Sequence, residues 1–302
     1  MAKKLLFIFN PKSGTQKLPD KLFDVCDAFT AAGFLVTVYP TQAPNQLVAI
    51  CDQLACEFDY IVVSGGDGTV SEAINALIPM QKRPTFGFIP SGTVNDFAQS
   101  LGIPTLIPAA VDIILHGKKN LLDVGRFNDR HFIYVAAFGL FTDVSYSTSQ
   151  TAKNWLGKLA YFLEGAKRIW EMPTFACDFQ IDDDYIQGEF VLGVVANTHS
   201  IAGMKMPKNI DAHMDDGLFE VILVQKPEGI KESQEVLASL LAQEEKSPLV
   251  TIRKARHVTF HAYEAVPWTL DGDYGGDFYR AEIENLHQAM EIITGWGGEV
   301  RG

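Results

Sequence analysis

The run Ile61-Val62-Val63-Ser64 empties into Gly65-Gly66-Asp67-Gly68-Thr69 and then Val70-Ser71-Glu72, an apolar β-branched stretch followed by a glycine-rich acidic turn and helix-type sequence. Such a strand–loop–helix junction is where a polyphosphate can be gripped. Without Cβ atoms, Gly65, Gly66 and Gly68 can take φ > 0 and bring backbone N–H groups to phosphate oxygens, and the following helix N-terminus adds positive potential. Asp67 would repel a bare phosphate. Its presence points to a bridging Mg2+, a hard cation that takes carboxylate and phosphate oxygens together. The plain alternative is a turn that only joins strand to helix, because a lone glycine fingerprint is weak.

A second polar turn follows at Pro90-Ser91-Gly92-Thr93-Val94-Asn95-Asp96-Phe97-Ala98. Thr93 and Asn95 offer a hydroxyl and an amide to a nucleotide, although the same residues could simply cap a helix. What decides between these readings is how the elements line the turns up. Apolar runs Leu5–Phe9, Leu35–Tyr39, Tyr60–Ser64 and Thr85–Ile89 read as strands, separated by helix-period stretches near 19–32, 44–56 and 70–79. Alternating strands and helices predict an α/β N-terminal domain with a mostly parallel sheet, over residues 1–122. Ligands of such sheets sit beyond the carboxyl ends of the strands. The Asn10-Pro11-Lys12-Ser13-Gly14 turn, Thr41, the Gly65–Thr69 loop and the Pro90–Thr93 turn all fall there.

The texture changes near Leu121-Leu122-Asp123. Runs with β character at 123–127, 131–138, 175–181, 186–196, 217–225, 249–261, 266–271, 278–283 and 290–294 predict a mainly antiparallel β-sandwich second domain over 123–294, with 295–302 packing back on the first. Two helical patterns interrupt it, at 151–171 and 229–244. The first is amphipathic and carries Lys153, Lys158, Lys167 and Arg168; it reads as a helix docked on its own sheet, with a membrane-facing role as the rival.

Composition narrows the function classes. A formal charge of −12, from 25 Lys and Arg against 37 Asp and Glu, argues against a nucleic-acid partner and against a polybasic membrane anchor. No apolar stretch approaches the roughly 18 residues of a spanning helix, and Leu5–Phe9 stops at Asn10-Pro11, too short for a secretory h-region. Cys26, Cys51, Cys56 and Cys177 lack C-x-x-C spacing and read as reduced core thiols. His257 and His261 lie on strand-type sequence and read as neighbours on one strand face.

Asn10-Pro11-x-Ser13-Gly14, Ser64–Thr69 and Pro90–Ala98, followed by Asp215-Asp216-Gly217-Leu218-Phe219-Glu220-Val221 and Leu270-Asp271-Gly272-Asp273, together resemble the diacylglycerol-kinase catalytic-domain superfamily. That superfamily includes soluble bacterial diacylglycerol kinases, related lipid kinases and, more distantly, sphingosine and ceramide kinases. The resemblance covers essentially the whole chain. It implies a phosphofructokinase/NAD-kinase-like first domain and an ATP site of Asn10, Pro11, Lys12, Ser13, Gly14, Thr41, Gly65, Gly66, Asp67, Gly68, Thr69, Glu72, Thr93 and Asn95. It also implies Asp271 as proton acceptor with Asp273 in support, and a structural Mg2+ held by Asp216 with His213 and Leu218. The substrate would be a membrane lipid, met by peripheral contact in the cleft between the domains. The location would be the cytoplasm and, transiently, the inner face of the membrane; a homodimer is left open. Thr15, Gln99 and Glu164 stand where soluble bacterial members carry basic residues, which weakens phosphate neutralisation and bears most on the choice of diacylglycerol as acceptor.

Two rivals remain. NAD kinases and phosphofructokinases share the Gly-Gly-Asp-Gly turn, but the Pro90–Ala98 and Leu270–Asp273 segments favour a lipid kinase over an NAD kinase-like small-molecule kinase. A non-catalytic nucleotide or lipid sensor would leave Asp67 and Asp271 unexplained. A Rossmann dehydrogenase is disfavoured, because the first strand leads to Asn-Pro-Lys-Ser-Gly and not to G-x-G-x-x-G.

Overall fold

The computed structural model describes residues 2–11, 18–43, 45–93, 95–139, 169–170, 172–197, 200–201, 204–205, 214–242 and 244–295. The chain divides into two units, Met1–Leu122 with Gln288–Gly302, and Asp123–His287. The first unit therefore takes in the end of the last strand, which pairs in parallel with its sheet through Ile292 and Phe86.

In the first unit the order is β1 Lys3–Phe9, α1 Leu18–Ala31, β2 Phe34–Pro40, α2 Gln46–Leu54, β3 Tyr60–Gly65, α3 Asp67–Leu77, β4 Thr85–Pro90, α4 Asp96–Ser100 and α5 Ile107–His116. The strands occupy the apolar runs. β1 pairs in parallel with β2 and β3, and β3 with β4. Leu5, Leu6, Phe7 and Ile8 are fully buried, as are Ile61, Val62 and Val63. Continuous apolar runs follow from burial on both faces, the condition of strands covered by helices.

The second unit contains β5 Lys118–Phe127 from Asp123 on, β6 Arg130–Phe132, β7 Val135–Gly139, β8 Phe175–Ile181, β9 Asp184–Ala196, β10 Ser200–Ile201, β11 Met204–Lys205, β12 Phe219–Gln225, α6 Ile230–Ala242, β13 Val250–Ala255, β14 His257–Leu270 and most of β15 Asp273–Thr294. Its ladders are antiparallel. β7 and β8 each bridge β9 and β14, β8 along Val258–Ala262 and β7 along Trp268–Leu270. The enclosed face is aromatic: the Trp268 ring lies 5.0 Å from Phe127, 4.9 Å from Phe138 and 5.2 Å from Phe260. Strands β9 and β12 are apolar on both sides, with Phe190, Val195, Val221 and Leu223 in this core and Val191, Val194, Ile222 and Val224 in a second cluster with Val236 of α6.

Several strand boundaries differ from expectation. The runs 278–283 and 290–294 belong to one 22-residue strand. The stretch 249–261 is divided between β13 and β14, and Asp271 leaves its strand to form a turn. The helix expected over 151–171 lies outside the described residues except for Ile169 and Trp170. All four cysteines are free thiols, and burial pushes those of Cys51 and Cys177 up to about 12.

Candidate active site

In the first unit, consecutive strand exits are tied to one another by backbone bonds. The Asn10 N–H donates to Ser64 O at 3.1 Å and the Thr41 N–H to Phe9 O at 2.9 Å. Gly65 O accepts from the N–H groups of Ser91 at 2.8 Å and Gly92 at 3.0 Å, and the Ser64 and Ser91 hydroxyls lie 3.1 Å apart. Lys12, Ser13 and Gly14 lie outside the described residues.

Glycine is needed here for close approach. A Cβ on Gly92 would sit 2.5 Å from the Gly66 Cα, so the two turns can meet only as bare backbone. None of Gly65, Gly66 and Gly68 takes the positive φ that the sequence allowed; Gly66 is extended, at φ −99° and ψ −172°, and caps α3. At Gly68 an added Cβ would meet nothing within 4 Å. Open space over the first turn of a helix with its positive end exposed is suited to an anion. Thr69 is half-buried and Thr93 exposed.

Several predicted ligands already have structural work. Helix α4 opens at Asn95, which is left-handed (φ 58°) and gives the helix no side-chain cap. The Asn95 amide instead clamps its own turn: Oδ1 accepts from the Gly92 N–H and Nδ2 donates to Gly92 O, both at 2.9 Å. Asp67 Oδ1 accepts the Phe97 N–H at 3.0 Å and so caps α4 from outside. Glu72 Oε1 accepts the Leu47 N–H at 2.7 Å, at the start of α2. Burial raises the Glu72 carboxyl above its ordinary range, opposed by bonds from the backbone of Leu47, Val48 and Asn45.

In the second unit, Asp271 and Gly272 have φ 52° and 87° and form the two-residue turn between β14 and β15, the left-handed pair that an Asp-Gly hairpin demands. The Asp271 carboxylate is held by three backbone donors: Oδ2 by Ile133 at 2.8 Å, Oδ1 by Tyr134 at 2.8 Å and Val135 at 3.2 Å. Burial nevertheless pushes its pKa up to about 6, those three bonds oppose the rise, and neighbouring Asp273 adds to it. Asp273 itself is exposed.

The 214–218 segment is fastened by a residue that the sequence reading passed over. Fully buried Asp123 donates its N–H to Met214 O at 2.7 Å, accepts the Gly217 N–H on Oδ2 at 2.6 Å and faces His287 Nδ1 at 3.0 Å. An acidic residue inside the apolar run Leu121–Val124 was the available signal. Asp216 Oδ1 accepts the Leu218 N–H at 3.0 Å and Oδ2 lies 3.5 Å from Lys254 Nζ. Buried Glu220 lies beside it with Oε1 lacking a hydrogen-bond partner, 3.7 Å from the same ammonium. Burial first, then Asp216, pushes Glu220 up to about 7 against the pull of Lys254. His213 lies outside the described residues, and among those described no group of three acidic, His or Cys side chains could hold a metal alone.

Residues 4–127 match the family described as diacylglycerol kinase catalytic domain, and residues 136–294 that described as YegS C-terminal NAD kinase beta sandwich-like domain. The chain is 36% identical over 297 residues to a diacylglycerol kinase of Staphylococcus carnosus (strain TM300), covering 97% of this chain and 96% of that one. The chain belongs to the diacylglycerol kinase family. It is a phosphotransferase of the class that acts on an alcohol acceptor. A diacylglycerol kinase of Staphylococcus saprophyticus is 33% identical over 97% of this chain and 96% of its own length. The crystal structure of a diacylglycerol kinase from Bacillus anthracis str. Sterne superposes with a TM-score of 0.77 at 28% identity, covering 97% of each chain. The two family matches divide the chain between its nucleotide-type turns and its β-rich half, and the second carries the sandwich expectation. Among the described residues of this family member, no helix is long and apolar enough to cross a membrane.

Proposed function

We propose that the protein transfers the γ-phosphoryl group of ATP to a hydroxyl of diacylglycerol or a related membrane lipid, with Mg2+. The full-length similarity to diacylglycerol kinases carries this reading. The first unit supports it with the contact between Gly66 and Gly92 and the open space at Gly68. Asn10, Pro11, Lys12, Ser13, Gly14, Thr41, Gly65, Gly66, Asp67, Gly68, Thr69 and Thr93 form the nucleotide site; Asn95 and Glu72 contribute by shaping it.

The donor set at Asp67 fits a cation delivered with the nucleotide: one oxygen is committed to Phe97 and the other is a hard ligand, as expected of Mg2+ that keeps phosphates and waters. Mg2+ there would offset charge on the transferred group. The Glu220 oxygen beside Asp216, which has no hydrogen bond and only the Lys254 ammonium at 3.7 Å, fits a second, structural cation with Asp216, Leu218 and His213.

In the reaction a lipid hydroxyl oxygen forms the new P–O bond while the bond from the γ-phosphorus to ADP breaks, and the hydroxyl proton passes to a carboxylate. Asp271 is that acceptor in the first reading: a pKa near 6 lies close to working pH, where a general base is efficient. The three N–H groups already bonded to Asp271 favour a second reading, in which exposed Asp273 takes the proton and Asp271 fixes the hairpin that presents it. The enzyme would work in the cytoplasm and at the inner face of the membrane.

The test is transfer of labelled γ-phosphate from Mg·ATP to micellar diacylglycerol, phosphatidylglycerol, sphingosine, ceramide or undecaprenol, with NAD as the soluble acceptor. Labelled lipid supports the reading and names the acceptor; labelled NAD, or no product despite Mg·ATP binding, refutes it.

A further inference from the structure

Helix α2 begins badly by its own means. Asn45, at its N-terminus, is left-handed (φ 59°, ψ 16°) and makes no side-chain cap bond, so the first helical N–H groups need an acceptor from elsewhere. Glu72, in the second turn of α3, supplies it: Oε1 accepts the Leu47 N–H at 2.7 Å, and the nearby backbone of Val48 and Asn45 also favours the charged carboxylate. The segment so held is the 41–45 turn. Its other end is tied to the exit of β1, with Thr41 N–H on Phe9 O at 2.9 Å, and Gln42 N–H is bonded to Gln46 Oε1 at 2.6 Å. One carboxylate therefore links the helix that follows the Gly65–Thr69 loop to the turn that carries Thr41.

We propose that Glu72 is a positioning residue for the nucleotide site, acting through Thr41 and not by touching the nucleotide. Its carboxylate is engaged by the Leu47 N–H, and its role is to fix the Thr41 turn in register with the phosphate loop. The inference rests on the nucleotide site proposed above.

The experiment measures Mg·ATP affinity calorimetrically on the full chain for Glu72→Ala, Glu72→Gln, Thr41→Ala and the Glu72→Ala/Thr41→Ala double variant. Amide hydrogen exchange is followed in parallel. Loss of a helix cap of ordinary strength predicts about tenfold weaker nucleotide binding in Glu72→Ala, with Glu72→Gln, which keeps one acceptor oxygen, recovering part of it. Exchange at Asn45, Leu47 and Val48 should accelerate in Glu72→Ala. The double variant should bind no more weakly than the weaker single one, since residues acting through one another are not additive. Multiplying effects would mean that Glu72 contacts the nucleotide independently and would overturn the proposal, as would unchanged affinity in Glu72→Ala. Unaltered exchange at the three amides would overturn it through the cap. Failure of the parent chain itself to bind Mg·ATP would refute the nucleotide site, a result separate from any loss confined to the variants.

Discussion

Asp271→Asn separates what the Asp271 carboxylate does for the fold from what it does for the reaction. Raising the folded pKa from 3.8 to about 6 means that the native state holds this proton more tightly than the unfolded chain. Stability is therefore greatest below about pH 4 and is lost as pH rises to about 6, a change of about 3 kcal/mol at about 1.36 kcal/mol per pH unit. Asparagine does not titrate. Its oxygen can replace Oδ1, which serves two N–H groups, leaving its NH2 against Ile133 N–H at a cost of about 1–3 kcal/mol. The variant should thus be less stable than the parent at about pH 4 and nearly equal to it at about pH 7, the gap closing by about 3 kcal/mol. Urea unfolding of both proteins across that range reads the gap, and taking the difference removes other titrating groups such as Glu220. Parallel curves would refute the burial argument. Turnover adds the second reading: loss of about 10²–10⁴-fold in Asp271→Asn with a milder effect of Asp273→Asn makes Asp271 the base, and the reverse order makes it Asp273.

Glu220→Gln, in metal-free buffer, should gain stability relative to the parent between about pH 5 and about pH 8 by up to about 3 kcal/mol, since burial pushes the carboxyl up to about 7 and its charge is carried at a cost above that; thermal melts at the two pH values check it. Gly92→Ala drives a Cβ to 2.5 Å from the Gly66 Cα, so the two turns must separate; an overpacking cost of about 1–3 kcal/mol taken from binding predicts Mg·ATP affinity about 5–150-fold weaker by calorimetry. Asp216→Asn should abolish a Mg2+-dependent stabilisation, read as a rise in melting temperature, that in the parent amounts to about 2.7 kcal/mol at about 100 times the dissociation constant; an equal rise in both proteins would remove Asp216 from the cation site.

Much of the first unit was legible because β1, β3 and β4 are buried along most of their length and so read as unbroken apolar runs. The turns were legible because Gly65-Gly66 and Gly92 punctuate those runs. The division of labour inside the turns was not. Asp67, Glu72 and Asn95 carry the polar types that a nucleotide would use, yet the same types satisfy helix ends, and only the partner of each oxygen tells the two apart. In the second unit, the Asp-Gly pair of Leu270-Asp271-Gly272-Asp273 encodes a hairpin, although the same two carboxylates also carry acid–base types. Asp123 was hidden for a different reason. Its partners, Met214, Gly217 and His287, lie 91 or more positions away, and no local periodicity encodes that distance.

The two polar turns share one design whose consequence reaches beyond each residue. Helices α2 and α4 both open at a left-handed asparagine, Asn45 at φ 59° and Asn95 at φ 58°, and neither asparagine caps its own helix. Both are capped by carboxylates of α3, Glu72 in its second turn for α2 and Asp67 at its start for α4. A left-handed residue turns the chain sharply, which brings each polar turn close to the strand ends but forfeits the local cap. Placing both substitute caps on the helix that follows the Gly65–Thr69 loop makes that loop the reference for its neighbours on either side. Displacing α3 should then loosen Thr41 and Thr93 together, whereas a change confined to one cap should loosen only the turn it serves.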